Sequence, residues 1–176
     1  GYILYIKPSG VSLKSIKKED FIAIDRKKIR KILVKKYNSD VFKREEQVKK
    51  DLLDARVDFK PRTVGPRASV ETGLHEVIDY KFVVHTHPTL VNGLTCGKNG
   101  KKIAKEIFGD GYLWIDYTDP GYTLTKILYE KLDRYKKQSG GITPKIILLQ
   151  NHGLIVAGDS IDDIINTTDN LIEKLN

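Results

Sequence analysis

The stretch Phe82-Val83-Val84-His85-Thr86-His87-Pro88 is an apolar run that ends in two histidines one residue apart. The run predicts a strand, and side chains two positions apart in a strand point to the same face. His85 and His87 could therefore hold one cation between them. A single histidine at a strand end is more often a hydrogen-bonded residue of the surface or the core, so the pair needs support from elsewhere in the chain.

A second apolar run supplies a third histidine. The stretch Leu148-Leu149-Gln150-Asn151-His152-Gly153-Leu154 places His152 at a break marked by a glycine. Three neutral imidazoles with an open fourth position form a catalytic zinc set, whereas structural zinc sites usually have four protein ligands and rely on cysteine. The chain has 4 histidines and only 1 cysteine. We therefore predict one divalent metal, Zn²⁺, held by His85, His87 and His152.

Length and composition predict one globular domain over residues 1–176. At 176 residues and 40% hydrophobic content the chain can bury a full core, and no linker or internal repeat divides it. No apolar run approaches the roughly 20 residues that span a bilayer, and no secretory signal opens the sequence. The lone Cys96 cannot form an internal disulfide, which suits a reducing compartment. We expect a cytoplasmic protein with no membrane partner.

The net charge of +8 calls for a choice between nucleic acid, an anionic metabolite and a solvated surface. Most of the excess lies in residues 14–36, where lysine and arginine alternate with Ile29, Ile32, Leu33 and Val34. Few aromatic residues are available for base stacking, and no nucleic-acid-binding module is recognisable. The pattern favours a solvated basic face without a specific nucleic-acid partner. A positive field would also steer a phosphorylated substrate towards the protein.

A turn near the start of the chain has the chemistry of an anion site. The triplet Pro8-Ser9-Gly10 follows a predicted strand and is typical of a turn. Its backbone N–H groups and the Ser9 hydroxyl could hold phosphate oxygens. An ordinary turn explains the same triplet.

A second anion site is predicted where a helix follows the loop at 60–68. Ser69 is a good N-cap, and Glu71 would lie in the first helical turn. A helix start attracts anions, but an acid in the first turn also suits the helix dipole for purely electrostatic reasons. His75 lies one turn after Glu71 on the same face, so it could orient the Glu71 carboxylate or pack beneath it, and we do not count His75 as a metal ligand.

The order of the predicted elements indicates an α/β protein, because strands alternate with helices. Amphipathic spacing and capping residues predict the helices, and apolar or β-branched runs predict the strands. The stretch 92–105 is rich in glycine and lysine and has no predicted element. Strands are expected at 2–7, 21–24, 112–117, 146–150 and 154–157, and helices at 40–58, 69–78 and 123–137 and after the cap Ser160.

Several segments together resemble the class II aldolase and adducin family, in the same order and at plausible spacings. The resemblance covers most of the chain. Within the family, the sequence is most similar to the aldolase domain of bifunctional rhamnulose-1-phosphate aldolase/dehydrogenase proteins. The family motifs lie at 6–11, 67–75, 82–88 and 150–156, and the segments similar to that subgroup lie at 69–75, 108–114 and 117–124.

The resemblance implies a fold, a metal and a set of site residues. The fold would be a three-layer sandwich with a mixed central sheet flanked by helices. The three histidines would hold zinc, Glu71 would be the general acid/base, and a tyrosine from a neighbouring subunit, for which Tyr112 and Tyr117 are candidates, often adds a proton donor. The positions that match substrate phosphate ligands are Ser9, Gly10 and Ser69.

The resemblance also implies an activity and an assembly. The expected reaction is aldol cleavage of a ketose 1-phosphate, such as rhamnulose 1-phosphate, to dihydroxyacetone phosphate and an aldehyde. Relatives form homo-oligomers, often tetramers. They also carry a helix and a Gly-Asn-x-Ser loop before the Pro-Ser-Gly segment, and this chain contains no methionine. We therefore expect that the sequence lacks its N-terminal segment and is one part of a longer protein.

Two other functions are compatible with the same scaffold. A sugar-phosphate epimerase or dehydratase is the first, although 4-epimerases tend to carry aspartate where this chain has Glu71. A non-catalytic interaction domain of the adducin type is the second. A scaffold has no need for three converging imidazoles, so the metal set separates this second alternative from an enzyme.

Overall fold

A computed structural model describes residues 1–57 and 67–176 of the chain. The chain divides into two compact units. The first contains Gly1–Val77 and Pro120–Lys126, and the second contains Ile78–Asp119 and Ile127–Asn176. Each unit has buried apolar clusters of its own, and one domain over 1–176 stays a prediction. No helix in the described ranges is both long and apolar enough to cross a membrane.

In the residues that the structure describes, the first unit contains a two-stranded antiparallel sheet, three α-helices and a short 3₁₀ helix at Lys18–Asp20. Aspartates begin two of the helices, because the Asp25 side chain accepts a hydrogen bond from the Lys27 N–H and Asp40 accepts one from the Lys43 N–H. The predicted strands at 2–7 and 21–24 are confirmed. The elements are β1 (Ile3–Ile6), β2 (Ile22–Asp25), α1 (Arg26–Val34), α2 (Val41–Asp54) and α3 (Thr72–Val77).

The helix predicted at 40–58 ends earlier, at Asp54. The following residues bond to β2 instead of continuing the helix. The Ala55 carbonyl accepts from the Asp25 N–H at 2.9 Å, and the Val57 N–H donates to the Ala23 carbonyl at 3.0 Å. Backbone pairing with the sheet therefore replaces the last helical turn.

The core of this unit contains two clusters of buried residues. One contains Ile6, Ile22, Ile24, Ile29 and Ala55, and the other contains Ile32, Val48 and Leu52.

The helix predicted from Ser69 begins instead at Thr72. Ser69 caps a turn that precedes the helix, because its hydroxyl accepts from the Glu71 N–H at 3.2 Å. Its carbonyl accepts from the Thr72 N–H at 3.0 Å. Glu71 therefore lies just before the helix and not in its first turn. The loop predicted at 60–68 lies outside the described residues except for its last two positions.

The second unit contains a four-stranded mixed sheet with the strand order β3-β6-β5-β4. The β3–β6 and β5–β6 pairs are antiparallel, and the β4–β5 pair is parallel. The predicted α/β fold with a mixed sheet and flanking helices is confirmed. The strands are β3 (Phe82–Thr86), β4 (Leu113–Ile115), β5 (Ile146–Leu149) and β6 (Gly153–Gly158).

Two helices of this unit overlap the stretch 92–105, for which the sequence predicted no element. Glycines lower the helical preference there, yet one of them is needed for packing. A Cβ on Gly100 would overlap the carbonyl oxygen of Leu94.

The Ser160 cap is confirmed, because its side chain accepts a hydrogen bond from the Asp163 N–H at 3.0 Å. The helices are α4 (Thr89–Thr95), α5 (Gly100–Phe108), α6 (Tyr122–Gln138), whose start belongs to the first unit, and α7 (Ile161–Leu175).

Candidate metal centre

Two segments of the sheet position the three histidines. His85 is in β3, His87 follows the end of that strand, and His152 lies in the turn between β5 and β6. His85 is paired with Ile155 of β6, and Thr86 is paired with Leu154. Since β6 lies between β3 and β5, this register places the turn before β6 beside the end of β3.

The imidazoles converge through their Nε2 atoms. The Nε2 of His85 lies 3.1 Å from that of His87 and 3.3 Å from that of His152. The candidate ligand atoms of the three residues all lie within 4.8 Å of one another. A tetrahedral ion with metal–nitrogen bonds of about 2.0–2.1 Å places its nitrogen ligands roughly 3.3–3.4 Å apart. The spacing therefore fits a single ion held by three nitrogens.

A backbone carbonyl fixes the tautomer of His85. Its Nδ1 lies 2.9 Å from the carbonyl oxygen of Leu154. A carbonyl can only accept, so Nδ1 carries a hydrogen, and in the neutral imidazole Nε2 then presents a lone pair towards the other imidazoles. Metal-binding histidines almost always donate their second ring N–H in this way. The donor set therefore fits a divalent metal such as zinc.

The backbone of the Asn151-His152-Gly153 turn explains why these residue types lie there. Asn151 has φ of 54°, a left-handed conformation that asparagine tolerates better than most residues. A Cβ on Gly153 would lie 2.5 Å from Cδ2 of His87 and 2.6 Å from the carbonyl oxygen of Thr86. The absence of a side chain at Gly153 thus allows His87 to approach the turn.

The predicted phosphate ligands lie in the first unit. The Ser9 N–H donates to the Arg67 carbonyl at 2.8 Å, and Pro8 forms an antiparallel bridge with Ala68. The segment that contains Ser9 is therefore paired with the segment that leads to Ser69. Gly10 has φ of 79°, which glycine adopts at little cost. The structure thus brings two of the predicted phosphate-binding segments together.

Glu71 and His75 also belong to the first unit, whereas the three histidines belong to the second. Within residues 1–57 and 67–176, the group of potential metal ligands contains His85, His87 and His152, without His75 or Glu71. The expectation that His75 is not a metal ligand stays a prediction. The acid/base role of Glu71 stays a prediction.

The two candidate tyrosines have different environments. Tyr112 packs against Phe108 with ring centroids 5.7 Å apart, and burial raises the pKa of Tyr112. Tyr117 is 57% exposed and follows β4, and its backbone N–H donates to Oε1 of Gln150 at 3.1 Å. Gln150 precedes the His152 turn. Tyr117 is therefore the candidate whose backbone is linked to the segment that carries a histidine.

A charged cluster at the end of β4 was not predicted from the sequence. Lys101 and Lys131 place their ammonium groups 2.6 and 2.8 Å from the two carboxylate oxygens of Asp116. These hydrogen bonds lower the pKa of Asp116 to about 2. The carboxylate is thus ionised at neutral pH. The three residues are far apart in the chain, so no local pattern pointed to the cluster.

The fold and the converging imidazoles define an α/β protein with a mixed sheet and a three-histidine group that could bind a metal. The chain belongs to the family described as Class II Aldolase and Adducin N-terminal domain, whose model matches residues 1–174. The resemblance inferred from the sequence motifs is therefore confirmed at the family level.

Known proteins with sequence or structural similarity extend this assignment. The chain is 28% identical over 172 residues to the uncharacterized oxidoreductase YuxG of Bacillus subtilis (strain 168), covering 98% of this chain and 23% of that protein. It thus spans about a quarter of this curated relative. The N-terminal class II aldolase domain of a conserved protein from Thermoplasma acidophilum matches with a TM-score of 0.77 and 26% identity, over 98% of this chain and 73% of that one.

A structure of L-fuculose 1-phosphate aldolase matches with a TM-score of 0.55 and 16% identity, over 99% of this chain and 68% of that one. At this identity the match shows a shared fold alone.

Proposed function

We propose that the chain is the catalytic domain of a zinc-dependent aldolase that cleaves a ketose 1-phosphate. The observation that supports this most directly is the convergence of the three Nε2 atoms at 3.1 and 3.3 Å around His85. His85, His87 and His152 would hold the ion and leave a coordination position open for substrate. When bound, the ion would supply Lewis-acid stabilisation of the negative charge that develops on the enediolate.

The phosphate of the substrate would bind at Ser9, Gly10 and Ser69. The pairing of Pro8 with Ala68 supports this assignment, because it brings the Ser9 turn beside the Ser69 segment. The Ser9 hydroxyl is a suitable donor for phosphate oxygens, whereas the Ser9 backbone N–H already donates to the Arg67 carbonyl at 2.8 Å. Family membership supports a phosphorylated sugar, and rhamnulose 1-phosphate is the specific substrate that we propose. Its cleavage would give dihydroxyacetone phosphate and lactaldehyde.

Glu71 would act as the general acid/base that moves a proton to or from the carbon next to the substrate carbonyl. The resemblance to the family at the Ser69–His75 segment supports this role. Tyr117 would be the additional proton donor, because its side chain is exposed and Tyr112 is packed against Phe108. A homo-oligomer in the cytoplasm, in which neighbouring subunits share tyrosines, completes the proposal.

An epimerase or dehydratase on the same scaffold is the alternative. Both reactions also use a metal-stabilised sugar phosphate, so the histidines do not distinguish them from an aldolase. Glu71 favours the aldolase, since related 4-epimerases tend to carry aspartate at this position. The relative YuxG is named an oxidoreductase and is much longer than this chain. We therefore propose that this domain is one part of a longer protein, whose complete activity includes further chemistry.

The test compares the parent with Glu71→Gln on a panel of ketose 1-phosphates, with triose phosphate and metal content both measured. General acid/base catalysis typically contributes about 10²- to 10⁴-fold, so turnover should fall within that range. The variant should keep about one metal per chain, because Glu71 is replaced by a side chain of the same size and is not a ligand.

Two outcomes would contradict parts of the proposal. Parental turnover in Glu71→Gln would remove Glu71 from the mechanism, and a loss of metal would make it a ligand. An epimerised or dehydrated sugar without triose phosphate would favour the alternative reactions.

A further inference from the structure

Gln150 attaches the turn that carries His152 to the end of β4, because it donates one hydrogen bond and accepts another there. The Gln150 N–H donates to the Ile115 carbonyl at 2.9 Å. The Gln150 side chain reaches in the same direction, and its Oε1 accepts from the Tyr117 N–H at 3.1 Å. Gln150 therefore contacts the backbone on both sides of Asp116.

The second bond replaces a bond of the parallel β4–β5 ladder. The pairing ends where Ile115 lies opposite Leu149, because the chain turns at Gln150 to enter β6. In a continuing parallel ladder, the next N–H of β4 would donate to the backbone carbonyl of residue 150. Here the side-chain amide oxygen of Gln150 accepts from Tyr117 instead. The side chain thus extends an ordered connection beyond the last paired residues.

This connection fixes a segment whose other groups are also constrained. Asp116 is held by Lys101 and Lys131, so the residue before Tyr117 is anchored through its side chain. Tyr117 itself is anchored through its backbone by Gln150, while its phenol stays exposed and donates to Asp119 at 3.3 Å. The backbone is therefore held while the side chain remains accessible.

We propose that Gln150 is a positioning residue that holds Tyr117 for proton transfer. This inference rests on the proposed aldolase function. Gln150 contacts neither the converging Nε2 atoms nor the phenol oxygen in the described bonds, so it acts through the backbone of Tyr117. The effect of Gln150 on proton transfer should require the Tyr117 hydroxyl. A contribution of Gln150 to stability alone would not depend on that hydroxyl.

The first experiment measures the hydrogen bond without enzyme activity. Gln150→Met keeps the length of the side chain and removes the acceptor, whereas Gln150→Glu keeps an acceptor oxygen. A net hydrogen bond typically changes a local opening equilibrium by about 2- to 13-fold. Amide hydrogen exchange of the Tyr117 N–H should accelerate by that factor in Gln150→Met and stay near the parental rate in Gln150→Glu. Unchanged exchange in Gln150→Met would overturn the inference.

The second experiment is a double-mutant cycle with Tyr117→Phe, measured as kcat for aldol cleavage in the metal-loaded protein. Gln150→Met should lower kcat by about tenfold, within the effect of one positioned proton donor. In the Tyr117→Phe background the same change should lower kcat by less than twofold. Equal effects in both backgrounds would show that Gln150 acts independently of Tyr117 and would overturn the proposal.

The chain offers a matched control for a lost glutamine acceptor. Gln47 Oε1 accepts from the Asn38 N–H at 3.1 Å, in the first unit. Gln47→Met should accelerate exchange at Asn38 and leave kcat unchanged. Failure of the proposed function can be distinguished from failure of this inference. If the parent protein releases no triose phosphate, the aldolase assignment is wrong. The exchange experiment still tests the Gln150–Tyr117 hydrogen bond in that case.

Discussion

At the scale of single residues, the candidate metal centre depends on a glycine that has no functional group of its own. A Cβ on Gly153 would lie 2.5 Å from Cδ2 of His87 and 2.6 Å from the Thr86 carbonyl oxygen. One of these neighbours is backbone, so the conflict can be relieved only if the turn or the end of β3 moves, in addition to the His87 ring. Gly153→Ala should lower metal affinity by about 10- to 100-fold, as changes behind metal ligands typically do. A chromogenic chelator in competition with the protein would measure this affinity.

Gly93 provides the control for this substitution. It lies in α4, and nothing would lie within 4 Å of an added Cβ. Gly93→Ala should therefore leave metal affinity unchanged and stabilise the helix by up to about 1 kcal/mol. Equal affinities in the parent and Gly153→Ala would show that the close approach of His87 to the turn is unimportant for binding.

The same residues show what the sequence could and could not predict about the site. The strand period predicted that His85 and His87 share a face, and the Nε2 separation of 3.1 Å agrees with it. The sequence did not reveal that Gly153 makes room for His87, or that Gln150 bonds to Tyr117. Both contacts join positions that are distant in the chain, and only the strand order defines such neighbours.

At the scale of elements, α1 and α3 are joined by a buried carboxylate. The Glu76 side chain is 1% exposed, and its two oxygens each lie 2.7 Å from an arginine Nε, of Arg26 and of Arg30. Breaking a buried ion pair typically costs about 3–5 kcal/mol, but the arginines are partly exposed and can be hydrated. Glu76→Gln should therefore lower the free energy of unfolding by about 1–3 kcal/mol, measured by urea denaturation.

An exposed pair serves as the comparison for Glu76. Glu106 lies 3.9 Å from Lys102 on α5, and both side chains are mostly in water. Glu106→Gln should change stability by less than about 0.5 kcal/mol. Neither variant should alter metal affinity, because the histidine positions do not depend on these pairs. Equal stabilities of Glu76→Gln and Glu106→Gln would show that the buried pair contributes no more than a surface pair.

Elements were predictable where the local pattern and the tertiary contacts agree. The apolar runs identified every strand of the mixed sheet, and Ser160 marked the start of α7. The interpretation of residues 14–36 as a solvated basic face did not include α1. The sequence also missed α4 and α5, because glycines lowered their apparent helical preference. The apolar residues Val91, Leu94 and Ala104 are buried in the core of the second unit and stabilise these helices. Tertiary packing therefore outweighed local preference.

At the scale of the whole molecule, the predicted functions are distributed between two units. The histidines belong to the second unit, and Ser9, Ser69 and Glu71 belong to the first. Metal binding and proton transfer should therefore be separable by mutation. Conversely, the second unit alone contains the complete histidine group, so binding of the ion should report on the folding of that unit.

The last prediction tests the metal centre through the stability of the chain. A ligand that binds only the folded state stabilises it by about 2.7 kcal/mol at a concentration of 100 times Kd. For a chain of this length, 1 kcal/mol shifts Tm by roughly 2–4 °C. Addition of Zn²⁺ to the metal-free protein at that concentration should therefore raise Tm by about 5–11 °C, measured by calorimetry, with about one ion bound per chain. In the proposed site zinc would bind through all three imidazoles, so the His85/His87/His152→Ala protein should show no Tm increase. His75→Ala should retain the full increase, because His75 lies outside the group of converging ligands. A similar rise in the triple variant would place the zinc site elsewhere, whereas a loss of the rise in His75→Ala would mean that the wrong imidazoles have been assigned.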